Sequence, residues 1–311
     1  MTTSFRVEED GIRADRLVGE VFPRRSRRVL AALFEQGLVL VNGKPAKKGE
    51  RLEAGDLVEV LATPPDEEAL RPIPEPSLSL DVLYHDEQVV VVNKPPGIPT
   101  HPLRAGELGT CANALVARFP ECRLMGDDPR EGGVAHRLDA GTSGVLVAAR
   151  TPESWRSLRA SFREGRATKE YLALVVGEVD EPGVVDVPIA HDPGQPGRAL
   201  PCEDPVQAAK RKALPARTSY QPEELFSGFT LLRCHAETGR MHQIRVHLAH
   251  AGMPVVGDPL YGMGAAEPRV IGHFLHAARL CIPHPRTGEM VSFEAPLPPD
   301  RQAALASLRK R

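Results

Sequence analysis

The segment His136-Arg137-Leu138-Asp139-Ala140-Gly141-Thr142-Ser143-Gly144 sets one carboxylate among small and polar residues, between Gly132-Gly133 and the apolar run VLVAA. Such a segment reads as a loop at a sheet edge, where a rigid scaffold can hold a reactive group in place. It also reads as a plain turn, since an Asp ahead of Gly-Thr-Ser-Gly can accept from the backbone just beyond it. As a reactive group, Asp139 could serve as nucleophile or general base, and both roles require it ionised. A guanidinium beside it would keep it so even where water is excluded. Arg245 is the candidate. It lies three residues after His242 on a helix expected over 241–251 and shares its face, with Ile244, Leu248 and Ala251 opposite. An arginine there could equally sit on a helix surface. Tyr171, in KEYLALV, alternates with Leu172 along an expected strand, where a tyrosine is ordinarily core, and Lys169 shares its face. His242, His247 and His250 are spaced in a way that suggests metal ligands. At about 100° per residue, however, His242 and His247 stand about 140° apart on a helix, so no metal site is expected.

These side chains need elements to position them. With 311 residues, 41% hydrophobic and 26% charged, the chain can bury one large core and carry a smaller satellite domain. Strands are expected at 89–93, 144–150, 170–177, 184–189, 216–221, 229–235 and 291–295, with helices near 152–164 and 241–251. Strands outnumber helices too far for regular βαβ alternation, so the class is α+β rather than a doubly wound parallel sheet. The stretch 191–215, with Gly194, Pro196, Gly197 and Lys210-Arg211-Lys212, reads as an inserted surface loop. Residues 63–79 hold five prolines and a short acidic patch, and are expected to run extended as a linker. Ahead of them a helical pattern spans 14–37, followed by short strands joined by turns at Asn42-Gly43 and Ala54-Gly55-Asp56. The run RRSRR at 24–28 opens an amphipathic helix whose Val29, Leu30, Leu33 and Phe34 form one apolar face. Clustered arginines at a helix start suit phosphate, although such a run is also an ordinary solvated surface.

The balance of the composition narrows the class further. A net charge of −2 excludes binding of nucleic acid by bulk positive charge, so any such affinity is local. The five cysteines are scattered, without a CxxC pair, and read as reduced thiols. No run reaches the roughly 20 apolar residues of a spanning helix, the N-terminus lacks the apolar core of a signal peptide, and a cytoplasmic location is expected. There is no Walker loop and no GxGxxG after a strand, so no cofactor is expected.

The stretch GGVAHRLDAGTSGVLVAART (132–151) resembles the signature of the RluA-type RNA pseudouridine synthases, departing where Ala140 and Arg150 replace common lysines. Four further stretches agree in order: HDEQVVVVNKPPGIPTHP (85–102), ATKEYLALVVG (167–177), ETGRMHQIRVHLAHAGMPVVGDPLYG (237–262) and FLHAARLCIPHPRTGEMVSFEAPLP (274–298). The N-terminal stretch, including its VNG turn, is similar to the S4-type RNA-binding module. The resemblance implies an α+β pseudouridine synthase fold with a central, mostly antiparallel sheet at 80–311. It also implies an S4-like domain at 11–62, joined by the 63–79 linker. By the same resemblance Asp139 is the catalytic aspartate, Arg245 pairs with it, and the Tyr171 ring stacks on a flipped uracil. Arg137 displaces that base, while His136, Lys169, Arg240 and His242 contact RNA. Arg24, Arg25, Ser26, Arg27, Arg28 and Lys44 grip its backbone. The expected substrate is large-subunit (23S) ribosomal RNA, acted on by a monomer, with tRNA or an inactive RNA-binding relative as alternatives. A two-carboxylate glycosidase would need a second acid within these motifs, and none is matched there.

Overall fold

The computed structural model describes residues 2–310 apart from Arg24, Ser26, Pro65, Asp66 and 263–267, and of Arg27 and Arg28 only the backbone. The chain forms two compact units, Met1–Arg71 with Arg104–Gly106, and Pro72–Leu103 with Glu107–Arg311.

The first unit contains β1 (Thr3–Arg6), α1 (Ala14–Val21), α2 (Arg27–Glu35), β2 (Val39–Val41), β3 (Lys44–Pro45), β4 (Leu57–Val60) and α3 (Glu67–Leu70). Its antiparallel sheet has the order β1-β4-β2-β3. Val18, Leu30, Leu33 and Phe34 from the helices bury against Val39, Val58 and Val60 of the sheet. The helix expected over 14–37 is therefore two helices. Pro23 has no N–H to donate and drives the preceding residue out of helical geometry, so α1 stops at Val21. Asn42 and Gly43 both take positive φ, 50° and 77°, as a tight hairpin turn between β2 and β3 requires. The stretch 63–79 is not uniformly extended, because Glu67–Leu70 makes a helical turn with Glu67 and Glu68 at its positive end. Beyond it, Ile73 and Glu75 bond to Asn113, in the first turn of a helix capped by Thr110 in the second unit to which they belong.

The second unit is built from β5 (Asp81–His85), β6 (Val89–Lys94), α4 (Cys111–Arg118), β7 (Ser143–Ala149), α5 (Pro152–Arg163), β8 (Thr168–Val176), β9 (Gly183–Asp186), β10 (Ile189–His191), β11 (Ala199–Pro201), α6 (Pro205–Lys210), β12 (Arg217–Phe226), β13 (Phe229–Ala236), α7 (Gln243–His250), β14 (Leu275–Pro283), β15 (Met290–Glu294) and α8 (Pro299–Leu308). Among the described residues, nine strands form one sheet in the order β5-β6-β7-β14-β8-β13-β12-β9, with β15 paired to β14. Every pairing is antiparallel except β7 with β14. The all-valine start of β6 is explained by burial on both faces: Val90 and Val92 join the core with α4, Val89 and Val91 that with α5. The expected strands near 89, 144, 170, 184, 216, 229 and 291 and both expected helices are present, though α7 starts only at Gln243. The 191–215 stretch is not a plain loop. It carries a β10–β11 hairpin, turned at Gly197 with φ 83°, and then α6.

The parallel pair β7–β14 sets the site. Gly144 faces Ala277 in register, and with φ at 116° any Cβ there would run into the Ala277 carbonyl. Glycine at the end of the HRLDAGTSG motif thus lets the Asp139 loop enter the sheet directly beside its central strand. Among the described residues no helix is long and apolar enough to cross a membrane.

Candidate active site

The loop from Arg137 to Thr142 is fixed from several sides by buried polar groups. Thr100 Oγ1 donates to the Leu138 carbonyl at 2.6 Å and accepts from the Leu138 N–H at 3.1 Å. Lys94, fully buried, donates to the carbonyls of Pro95 (2.9 Å) and Ala140 (3.0 Å). Burial pushes its ammonium down to about 8, so near neutrality it stays largely charged and donates strongly. Arg301, also fully buried, donates to Ser143 Oγ and to the carbonyls of Gly141 and His273, both at 2.7 Å. His276 completes this cluster. Its Nε2 bonds the Ala295 carbonyl at 3.0 Å, which puts the proton there and leaves Nδ1 to accept from the Ser143 hydroxyl at 2.8 Å.

The opposite wall is the start of α7. Gln243 Oε1 accepts from Thr238 Oγ1 at 2.6 Å and from the Arg240 N–H at 3.1 Å, and its amide donates to the Arg217 carbonyl and Thr218 Oγ1. These bonds tie the turn before the helix to β12. His242 is the N-cap with φ 55°, not a helical residue, so it does not share a helix face with Arg245. Ala251 is exposed and lies past the helix end, leaving Ile244 and Leu248 as the apolar side. His247 is held by Thr218 and the Val187 carbonyl, both at 2.9 Å, while His250 bonds Glu203 at 2.9 Å.

Across the 106 residues that separate them, Asp139 and Arg245 meet. Arg245 Nη1 donates to Asp139 Oδ2 at 2.8 Å. The rest of the guanidinium is fixed by Asp258, to which Nε donates at 2.7 Å and Nη2 at 2.8 Å. Arg245 and Asp258 are each 3% exposed, so this is a buried, two-pronged clamp that aims the third nitrogen at Asp139. Asp258 is itself oriented by the N–H groups of Leu260 and Tyr261. Burial acts to raise the Asp139 pKa, but nearby positive charge and the Arg245 bond outweigh it, leaving the carboxyl below its ordinary value. His242 is pushed down by burial and is neutral near pH 7, so Arg245 is the cation that operates there. The Tyr261 hydroxyl accepts from the Ala199 N–H at 2.8 Å and bonds His242 Nδ1 at 3.0 Å. His242 Nε2 lies 3.9 Å from Asp139 Oδ1.

A cavity of about 310 Å³ opens over this carboxylate. Asp139, Tyr171, Arg245, Arg137, Lys169, Arg240 and His242 all line it, together with Leu275. Burial and the Asp139 charge push the Tyr171 phenol up, so its hydroxyl keeps its proton. Arg137 is exposed at the mouth. His136 is not in the cavity. Its ring packs on Phe162 at 4.8 Å, its Nε2 accepts from the Val147 N–H, and burial lowers it to about 3, so it is a neutral support beneath the loop. In the first unit, Arg25 is half-buried and donates to the Pro64 carbonyl, and Lys44 is exposed on β3. Arg24, Ser26 and the side chains of Arg27 and Arg28 lie outside the described residues. Sequence reasoning singled out neither Asp258, Lys94, Tyr261 nor Arg301. The first three stand inside the stretches GDPLYG and NKPPG, where a carboxylate or lysine among turn residues is the available sign.

A mostly antiparallel sheet with a carboxylate–arginine pair in a cavity of about 310 Å³ defines a class that comparison with known proteins identifies. Residues 88–250 match the family model described as RNA pseudouridylate synthase, and residues 12–58 match the S4 domain. An RNA pseudouridine synthase of Chloroflexus aurantiacus, itself named as uncharacterized, is 40% identical over 96% of this chain and 90% of its own. "Ribosomal large subunit pseudouridine synthase D" of Nitrosomonas europaea is 34% identical over 96% and 85%. The solved structure "Human RNA Pseudouridylate Synthase Domain Containing 1" superposes with a TM-score of 0.56 at 29% identity, covering 72% of this chain and 86% of its own. The chain belongs to the RNA pseudouridine synthase family, isomerases of uridine in RNA, and carries an S4 domain ahead of its catalytic fold.

Proposed function

We propose that this chain flips a uridine out of large-subunit (23S) ribosomal RNA and converts it to pseudouridine, with Asp139 as the essential carboxylate. The observation that carries the reading is the Asp139–Arg245 bond, made in a cavity that also holds Tyr171. The reaction breaks the N1–C1′ bond, turns the base while it is held and joins C5 to C1′, after which C5 loses its proton. Asp139, kept ionised by Arg245, can attack as nucleophile or remove the C2′ proton on the way to a glycal. The Tyr171 ring stacks on the uracil, and base–aromatic stacking of about 1–3 kcal/mol offsets part of the cost of unstacking the nucleotide. Arg137, exposed at the cavity mouth, fills the space the flipped base leaves in the RNA. Lys169, Arg240 and His242 hold the target nucleotide, while Arg24, Arg25, Arg27, Arg28 and Lys44 of residues 11–62 grip RNA backbone. The protein acts as a monomer in the cytoplasm.

The ribosomal substrate is favoured by relatives named for the large ribosomal subunit that match nearly the whole chain. Mapping pseudouridines in the ribosomal and transfer RNA of a strain lacking this chain tests it. The expected result is loss of one or more sites in large-subunit RNA, restored by the wild-type chain but not by Asp139→Asn. Losses confined to tRNA would replace the substrate, and an unchanged map would favour an inactive RNA-binding protein.

A further inference from the structure

A second cavity, of about 390 Å³, adjoins the first and shares His191, Gly239, Arg240 and Met241 as lining. Its outer wall is the 191–215 insertion, which contributes Arg211, Lys212 and Leu214. Arg211 and Lys212 are exposed and, among the described residues, neither side chain has an ion pair or hydrogen bond within the protein. The acids nearby are committed elsewhere: Asp204 caps α6, Glu203 bonds His250, and Asp186 bonds Arg217. Among the described residues no carboxylate lines this second cavity, and Asp139 is the one that lines the first. Arg240 stands between them. It is anchored through Nε to the Pro215 carbonyl at 2.9 Å, which leaves its terminal nitrogens to face the cavities. In a chain with a net charge of −2, this run of cations is a local feature that needs an anion.

Lys212 takes φ 52° in the left-handed turn that ends α6, where its N–H donates to the Ala209 carbonyl at 3.2 Å and the Ala213 N–H to the Ala208 carbonyl at 2.8 Å. This turn leaves the Lys212 side chain exposed at the rim. Apolar Leu214 and Met241 lie below it, a surface suited to the face of a base.

We propose that this second cavity receives the nucleotide adjoining the flipped uridine, with its phosphate taken by Arg211, Lys212 and Arg240 and its base laid on Leu214 and Met241. The proposal rests on the reading of the first cavity as the uridine pocket. It makes the insertion a determinant of which uridines are accepted, since a neighbour that cannot enter weakens binding of the whole segment.

The test compares UMP, which fills only the first cavity, with the trinucleotide UpUpU, which spans both. Binding to the full chain is read by NMR titration. The variant is Arg211→Ala with Lys212→Gly, glycine keeping the backbone at 212 free of strain. The wild type is expected to bind UpUpU about tenfold tighter than UMP, with a salt dependence steeper by about one to two phosphate contacts. In the variant the gain and the added salt dependence vanish, while UMP affinity is unchanged. A variant that retains the gain would overturn the proposal. UMP binding that Tyr171→Ala leaves unaltered would instead overturn the uridine-pocket reading, and the proposal with it.

Discussion

The two adjoining cavities hold their cations in opposite ways. In the first, Arg245 has three nitrogens committed to two carboxylates and is sealed from water, so its geometry cannot drift without leaving a buried charge unpaired. In the second, Arg211 and Lys212 stand exposed with no protein partner among the described residues. The difference fits the tasks proposed for the two cavities. Holding a carboxylate ionised at one point of a substrate requires a fixed direction, whereas neutralising a phosphate on a flexible strand requires only charge within reach. Substitutions in the first cavity are therefore expected to act on kcat and stability, and those in the second on KM and salt dependence.

Among the residues that support Asp139, the largest effect is expected from Asp258→Ala. Removing it leaves two guanidinium nitrogens buried without a partner, which destabilises by about 3–5 kcal/mol, and frees Arg245 to swing from Asp139. Thermal melts should show the loss, and kcat should fall by about 100-fold or more with KM little changed. A kcat within threefold of wild type would break the contrast between a fixed and a free cation. Next comes Tyr171→Phe, which keeps the ring that stacks and removes the hydroxyl. Single-turnover rates are expected to drop by about 10- to 100-fold while RNA affinity holds, and a change confined to affinity would reduce Tyr171 to a stacking platform.

The effect of pH is smaller and has a definite sign. The Asp139 pKa is lowered on folding from an ordinary value of about 3.9. Such a group contributes stability that is fully present above the unfolded value and is lost as pH falls through the folded one. Between pH 8 and 5, Asp139 should stay ionised and single-turnover rates should show no limb from its titration. In Asp258→Asn, with Arg245 less firmly aimed, burial regains weight and an acid limb should move upward. A wild-type limb between pH 5 and 7 that shifts with substitutions at Arg245 would contradict this. The mildest effect belongs to Arg211→Ala with Lys212→Gly, expected to raise KM for RNA by about tenfold at low salt with kcat unchanged.

Much of this contrast could be read from sequence, and the limits were physical. The strands whose apolar residues form a run or alternate, such as VVVV in β6 and YLALVV in β8, announced themselves. The central strand β14 did not, because LHAARLCIP is poor in β-branched residues and carries His276 and Arg279. Its burial comes from neighbours on both sides, and His276 is accommodated only because Ser143 and the Ala295 carbonyl satisfy it. The pairing of Asp139 with Arg245 came from family resemblance, since nothing local couples positions 106 residues apart. Asp258 escaped for a related reason: its partner is set by how the turn after α7 folds back, which spacing does not reveal. His242 was misplaced on the helix because the helical period continues through it, while its left-handed backbone breaks the geometry one residue before Gln243.

If Asp139 is the carboxylate on which isomerisation depends, the surrounding bonds serve to hold it charged and aimed. The most direct test incubates the full chain with large-subunit RNA carrying tritium at uracil C5 and follows release of label into water, wild type against Asp139→Asn, with RNA binding measured in parallel. The substitution keeps the size and loses the charge. Release by the wild type, none above background from the variant, and RNA affinity within about threefold of each other is the predicted result. Equal release from both proteins would contradict it.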